Sequence, residues 1–228
     1  MPILEARNIT KTYEIGDRSI DVLHNVSFGI SAGEFVAIIG SSGSGKSTLL
    51  SIMSGLDHAT VGSIWIQGDD ITHLTEDDLA PLRNETIGFV FQSFHLIPSL
   101  SAIENIMFPA ELQGNANAQE KAESLLKRVN LLDRAENFPH QLSGGEKQRV
   151  AICRALINDP KIIFADEPTG NLDTENGRGI LDLLFELKKE IQTTLVLVTH
   201  DPEVAKLADR VIRLEDGRIA SDQSAARS

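Results

Sequence analysis

The segment Gly40-Ser41-Ser42-Gly43-Ser44-Gly45-Lys46-Ser47 has the residue types that hold a polyphosphate. Glycines lack a Cβ, so backbone N–H groups can close around an anion. A helix starting there points the positive end of its dipole at the same charge. Lys46 has the reach for β- and γ-phosphates, Ser47 offers a hydroxyl to Mg²⁺, and Thr48 continues the first turn. A second glycine-rich turn, Leu142-Ser143-Gly144-Gly145-Glu146, opens another predicted helix. Ser143 with the Gly144 and Gly145 amides forms a second anion-binding N-terminus, although by itself it also reads as an ordinary Ser cap. One nucleoside triphosphate needs one phosphate loop. The second turn therefore raises the question of whose phosphate it would bind.

Asp166 and Glu167 follow the apolar run Ile162-Ile163-Phe164-Ala165, at the carboxyl end of a predicted buried strand. Ligands of open α/β sheets bind at that edge. Asp166 suits the Mg²⁺ shell. Glu167 suits polarisation of an attacking water, a role worth about 10²–10⁴-fold in rate. His200 ends the run Leu195–Thr199 and approaches the two carboxylates if the strands are neighbours, where it would sense a γ-phosphate. A lone His is more often a surface or capping residue. Gln92 follows Gly88-Phe89-Val90-Phe91 and would touch Mg²⁺ or the water.

The elements that must place these groups read as α/β. Ile3–Ile9, Val22–Ile30 and Phe35–Ile39 are predicted strands, the last a short apolar run buried on both faces. Thr48–Met53 reads as a helix closed near Gly55. From about Phe94 to Asp159 the pattern turns helical, with apolar spacing over Gln119–Leu132 and a helix over Glu146–Ile157 stopped by Asp159-Pro160. Strands return at 162–165 and 195–198 around a helix over Arg178–Ile191, which implies parallel strands with helical crossovers. Arg210–Ile219 reads as a hairpin turning at Glu215-Asp216-Gly217, and the polar tail Ser221–Ser228 is expected to fray.

Composition narrows the function classes. The chain has 228 residues, 41% hydrophobic, with net charge −12 and no Lys/Arg cluster, so nucleic-acid binding is disfavoured. No run approaches the ~18–20 apolar residues that cross a bilayer, and the first residues lack a signal-peptide core. A cytoplasmic protein is expected. Cys153 is the only cysteine, which excludes an intrachain disulfide, and its apolar neighbours suggest a core position.

Taken in order, these motifs resemble the ABC ATPases, the nucleotide-binding subunits of transporters. The resemblance runs over essentially the whole chain. It assigns Tyr13 to the A-loop, Gly40–Ser47 to Walker A, Gln92 to the Q-loop and Leu142–Glu146 to the signature. It further assigns Ile162–Asp166 to Walker B, Glu167 as catalytic base, Asn171-Leu172-Asp173 to the D-loop and His200 to the H-loop. It implies a P-loop NTPase fold of ABC ATPase type. A RecA-like core over 1–91 and 161–228 would carry an antiparallel β subdomain, with an α-helical subdomain inserted over 92–160. ATP and Mg²⁺ would bind, and Tyr13 would stack on adenine. Two copies would pair head to tail, with Ser143, Gly144, Gly145 and Glu146 meeting the partner's ATP. Glu146 departs from the usual signature Gln. A carboxylate near triphosphate is unfavourable on Coulomb grounds, and Lys147 and Arg149 are close enough in sequence to offset it.

Arg83–Gln92, Phe164–Asp173 and the linker Ile15–Val22 resemble the lipoprotein-release and macrolide-export branch, with the bacitracin-type peptide-resistance and cell-division branches close to it. That branch implies a peripheral position on the inner face of the membrane. Its permease partners carry a large extracytoplasmic domain. Ser93–Pro98 is the expected docking groove, unless Phe94, Leu96 and Ile97 pack the insertion's own core. A soluble ABC motor of DNA repair or translation, and a regulator of an extracytoplasmic hydrolase, are the alternatives.

Overall fold

The computed structural model describes residues 1–224, the side chains of 174–176 excepted. In chain order the elements are β1 (Leu4–Ile15), β2 (Arg18–Ile30), β3 (Phe35–Ile39), α1 (Lys46–Met53), β4 (Val61–Ile66), β5 (Asp69–Asp70), α2 (Glu76–Thr86) and β6 (Ile87–Phe91). They continue as α3 (Ala102–Leu112), α4 (Ala118–Arg128), α5 (Gly144–Leu156), β7 (Ile162–Asp166), α6 (Thr174–Ile191), β8 (Thr194–Thr199), α7 (Pro202–Ala205), β9 (Arg210–Glu215) and β10 (Arg218–Ser224). Contacts divide the chain into two compact units, Met1–Arg83 with the chain from Thr194 onward, and Asn84–Thr193.

In the first unit an antiparallel sheet runs β2-β1-β4-β5. The β1–β2 register runs from Leu4 opposite Ile30 to Ile15 opposite Arg18. The stretch Ile15–Val22 is therefore a β-hairpin and not a linker. Its residues from Ile15 to Asp21 are exposed, so no apolar alternation marks them, and Gly16 turns the chain at φ 60°. β3 pairs in parallel with β8 and with β9, and every β8 residue is buried, as a two-sided parallel strand requires. β9 and β10 form the expected hairpin, turning through Asp216 and Gly217. β10 carries the tail to Ser224, so Ser221–Ser224 is strand where fraying was expected. Arg210 fastens it, binding both Asp222 oxygens at 2.6 Å and donating to the Gly29 carbonyl at 2.7 Å. Residues 225–228 lie outside the described residues.

In the second unit β6 and β7 pair in parallel from Ile87 opposite Ile162 to Phe91 opposite Asp166. The helical segment expected over 92–160 falls inside this unit. Its core joins Ile103 and Ile106 of α3, Ala122 and Leu126 of α4, and Val150 and Cys153 of α5. Ser101 caps α3 through a reciprocal box with Glu104. Asn105, fully buried, accepts from the Ile97 amide and donates to the Ile97, Leu100 and Ser101 carbonyls, which fixes the loop entering α3. Leu96 packs on the same core, so part of the expected docking stretch is internal. α5 lies against β6 where Gly88 permits it: a Cβ there would fall 2.3 Å from the Ala155 carbonyl oxygen. No helix among the described residues is long and apolar enough to cross a membrane.

Candidate active site

In the first unit, β3 delivers the chain to Gly40 and α1 takes it away. A Cβ on Gly40 would lie 2.2 Å from the Leu214 carbonyl oxygen, so only glycine fits this exit. Gly43 and Gly45 have φ of 80° and 96°, the left-handed region that lets successive amides face inward. The loop is pinned by Ser44 N–H to Ser41 O and by Gly217 N–H to Ser44 O, both 3.2 Å. Gly45 caps α1 with no side-chain bond, at the end of the helix whose dipole favours an anion. The Lys46 ammonium, almost wholly buried, donates to the Gly40 and Ser41 carbonyls at 3.1 and 2.9 Å. Ser44 Oγ is buried without a hydrogen-bond partner. A buried, unpaired hydroxyl inside a ring of amides beside an ammonium fits a phosphate oxygen. Ser47 and Thr48 follow in the first turn of α1.

His200 belongs to this unit. The register Ile39 opposite Thr199 brings Gly40 and His200 out at the same strand edge. Asp201, next to it, caps α7 by accepting from the Glu203 amide at 2.8 Å.

Tyr13 lies on β1, half-buried. Its hydroxyl donates to Asp57 Oδ2 at 2.6 Å. Lys11 Nζ donates to Asp57 Oδ1 and to the His58 carbonyl, each at 2.7 Å, and stands 4.6 Å from the Tyr13 ring centroid. Burial raises the Tyr13 hydroxyl above the usual phenol range, reinforced by its bond to Asp57 and opposed by one with Thr48. Burial pushes the Asp57 carboxyl up, but the bonds from Lys11, Tyr13 and the His58 amide outweigh it and hold it below the usual range. Lys11 and Asp57 escaped the sequence reading.

In the second unit, Phe91 opposite Asp166 makes Gln92 and Glu167 emerge side by side. Glu167 sits at φ 44°, a strained position for a non-glycine residue, immediately before the buried Pro168. Its carbonyl accepts from the Gly170 amide at 3.0 Å, which curls the following loop back toward Gln92. There Asn171 Nδ2 donates to the Gln92 carbonyl at 2.9 Å, and Gln92 Nε2 donates to Asn171 Oδ1 at 3.3 Å. The D-loop assignment named Asn171, but nothing in the sequence paired it with Gln92.

Ser143 is the N-cap of α5. Its Oγ accepts from the Glu146 amide at 3.3 Å, and Glu146 Oε2 accepts from the Ser143 amide at 2.7 Å. Glu146 therefore serves as the far half of a capping box, a task that Glu and Gln perform alike. The bond from the Ser143 amide is the largest cause holding its carboxyl below the usual range; burial opposes it, and the nearest ion-pair partner is Arg134, at 3.9 Å. Lys147 takes no part in that pairing among the described contacts. Ser143 is exposed, and its hydroxyl also interacts with the Glu146 carboxylate, helping to hold that carboxyl low. A Cβ on Gly144 would lie 3.2 Å from the Leu172 side chain and 3.9 Å from Phe94, so the signature turn, the D-loop and the bend after Gln92 meet here. That bend carries positive φ at both Phe94 and His95, 62° and 47°. Arg154 of α5 clasps it, donating to the Phe94 carbonyl at 2.9 Å and to the His95 carbonyl. Burial lowers the Arg154 guanidinium below its ordinary value. Cys153 is fully buried, and burial pushes its thiol up to about 12.

A family model described as ABC transporter matches residues 23–170, which contain the phosphate loop, the signature turn and both strand-end carboxylates. The chain belongs to the ABC transporter family. The cassette is 42% identical to a solved structure of the ATP-binding cassette MJ0796, described as dimeric, post-hydrolysis and bound to ADP and Pi. That match has a TM-score of 0.91 and covers 99% of this chain and 100% of the other. It is 47% identical to the macrolide export ATP-binding/permease protein MacB of Syntrophobacter fumaroxidans over 99% of its own length, but it spans only 32% of that relative. It is 46% identical to the uncharacterized ABC transporter ATP-binding protein YknY of Bacillus subtilis, over 99% of each chain. The fold is that of an ABC ATPase, a RecA-like core with mixed sheet and a helical subdomain, and the cassette hydrolyses ATP.

Proposed function

We propose that the cassette powers a membrane complex by closing on ATP against a second copy and opening after hydrolysis. The observation that carries this reading is the division of phosphate-binding groups. The loop of Gly40–Ser47 has an orphaned Ser44 hydroxyl and a buried Lys46, while the separate helix start at Ser143 is exposed. Two such starts on one chain suit two nucleotides shared between two copies, and the related MJ0796 cassette is dimeric.

In this reading the amides of Ser41–Gly45 cradle the β-phosphate, and Lys46 moves from its own carbonyls to the phosphate oxygens. Ser47, Gln92 and Asp166 would be the oxygen donors for Mg²⁺, which would supply charge neutralisation to the triphosphate. Glu167 accepts a proton from the attacking water, His200 contacts the γ-phosphate, and Tyr13 stacks on adenine. Ser143, Gly144 and Gly145 of one copy meet the γ-phosphate of the other, with Glu146 acting through the cap. The helical core takes the partner contact through a permease, on the same chain or a separate one, at the cytoplasmic face of the membrane. The likeness to MacB, an export ATP-binding/permease protein by name, favours an export or force-transmitting complex; a large extracytoplasmic domain on the permease, and no nucleic-acid partner, complete the proposal.

Glu167→Gln in the presence of ATP and Mg²⁺ tests the pairing. Light scattering after size exclusion should show a trapped dimer, and capture from solubilised membranes should recover a permease. A variant that binds ATP yet stays monomeric at every concentration, with or without membrane protein, would overturn it.

A further inference from the structure

The ties around Tyr13 are unusually complete for an exposed strand end. Lys11 and Tyr13 are two residues apart on β1 and so share one face of the strand. Asp57 arrives from the loop after α1, whose Leu56 and Asp57 amides both donate to the Ser51 carbonyl, at 2.9 and 3.2 Å. Each carboxylate oxygen is committed, one to the Tyr13 hydroxyl, the other to Lys11 and the His58 amide. Lys11 is only 9% exposed, and its ammonium covers one face of the ring at 4.6 Å. A phenol held by its hydroxyl, with a cation against its back, cannot pivot and offers a single face. A cation behind the ring also draws electron density from the front, which favours an electron-rich purine there. The carboxylate moreover belongs to the loop that closes α1, the helix that begins at the phosphate loop.

We infer that Lys11 and Asp57 are positioning residues for base recognition, holding Tyr13 as a one-sided platform at a fixed distance from the phosphate loop. This rests on the reading that Tyr13 stacks on the base of ATP. The two residues touch neither phosphate nor base; they act through the ring. Their effect belongs on affinity for nucleotide and not on the phosphate loop itself.

The test is calorimetric titration of the full chain with Mg·ATP and, separately, with Mg·tripolyphosphate, which has no base. Wild type is compared with Tyr13→Ala, Tyr13→Phe, Lys11→Met and Asp57→Asn. Tyr13→Ala should weaken ATP by about tenfold or more, in the range of one base–aromatic stack. Lys11→Met and Asp57→Asn should each weaken ATP by about three- to tenfold. Tripolyphosphate affinity should not change in any of them. Because Tyr13 is the only tyrosine, 3-fluorotyrosine labelling gives a single ¹⁹F resonance. It should shift with ATP but not with tripolyphosphate, and broaden in Asp57→Asn as the ring gains freedom. If Tyr13→Ala weakens ATP while Lys11→Met and Asp57→Asn leave it unchanged, the positioning role is overturned and the base platform stands. An unchanged ATP affinity in Tyr13→Ala overturns the platform itself. Equal losses for ATP and tripolyphosphate in Lys11→Met or Asp57→Asn also overturn the proposal, because the tie would then serve only the fold.

Discussion

Asn171 and Gln92 hold each other by reciprocal hydrogen bonds, Asn171 Nδ2 to the Gln92 carbonyl at 2.9 Å and Gln92 Nε2 to Asn171 Oδ1 at 3.3 Å. Gly170 backs the pair, because a Cβ there would lie 2.7 Å from Gln92 Nε2. Asn171→Ala should therefore release the Gln92 side chain at a stability cost of about 1 kcal/mol or less. Gly170→Ala should displace the same amide mildly, since the atom it meets is the end of a flexible side chain. Both variants should keep ATP affinity and lose turnover severalfold. Steady-state ATPase rates beside calorimetric Kd values check this; a fall in affinity with unchanged kcat would contradict it.

Gly40 faces a backbone oxygen instead, and the outcome should differ. The 2.2 Å approach of a new Cβ to Leu214 O forces β9 or the phosphate loop to move. Gly40→Ala should cost about 1–3 kcal/mol in urea unfolding and abolish nucleotide binding. Lys46→Ala should abolish binding too, with a much smaller effect on the urea midpoint.

The cap at α5 predicts a pH dependence. The Glu146 carboxyl is held below its ordinary value chiefly by the Ser143 amide. A depressed carboxylate contributes stability that is fully present above its unfolded pKa, about 4.3, and is lost as pH falls through the folded value. Glu146→Gln keeps both bonds of the box and removes that titration. Its stability relative to wild type should be flat above about pH 5 and should rise below it, while Glu146→Ala should lose about 1 kcal/mol at pH 7. Denaturant unfolding at pH 7 and pH 4 measures both.

Cys153 should behave as an apolar residue. With its thiol at about 12 and no exposed surface, it should not react with a thiol reagent at pH 8 until the protein unfolds. Fast labelling in native buffer would refute this. Cys153→Ser, which buries a hydroxyl in an apolar cluster, should destabilise by about 1–3 kcal/mol, more than Cys153→Ala.

The features legible in the sequence were those in which one short segment carries its own physics. Phe35–Ile39 ends at a glycine because a buried strand must release the chain into the loop, and Ser143 with Glu146 announces a helix start. Elements whose signal is tertiary were hidden. α2 and α3 each contain a proline, Pro81 and Pro109, which reads as a break until packing overrides it. The turn end of the β1–β2 hairpin, from Ile15 to Asp21, and the outer end of β10 are exposed, so hydrophobic period is silent there. Lys11 and Asp57 lie 46 residues apart and make sense only once β1 and the loop after α1 are side by side. The place of Glu167 after a strand marks it for polarising water, yet its positive φ has no signal in the sequence, since glycine is the residue expected there.

The grip of Arg154 on the bend at Phe94 and His95 has a mechanical consequence. The Phe94 ring reaches the opposite end of the same helix, 3.9 Å from where a Cβ on Gly144 would stand. The bend is thus strapped to α5 twice, by its carbonyls to Arg154 and by its ring to the signature turn. A load on the bend reaches Ser143 without slack, and the two travel as one rigid piece.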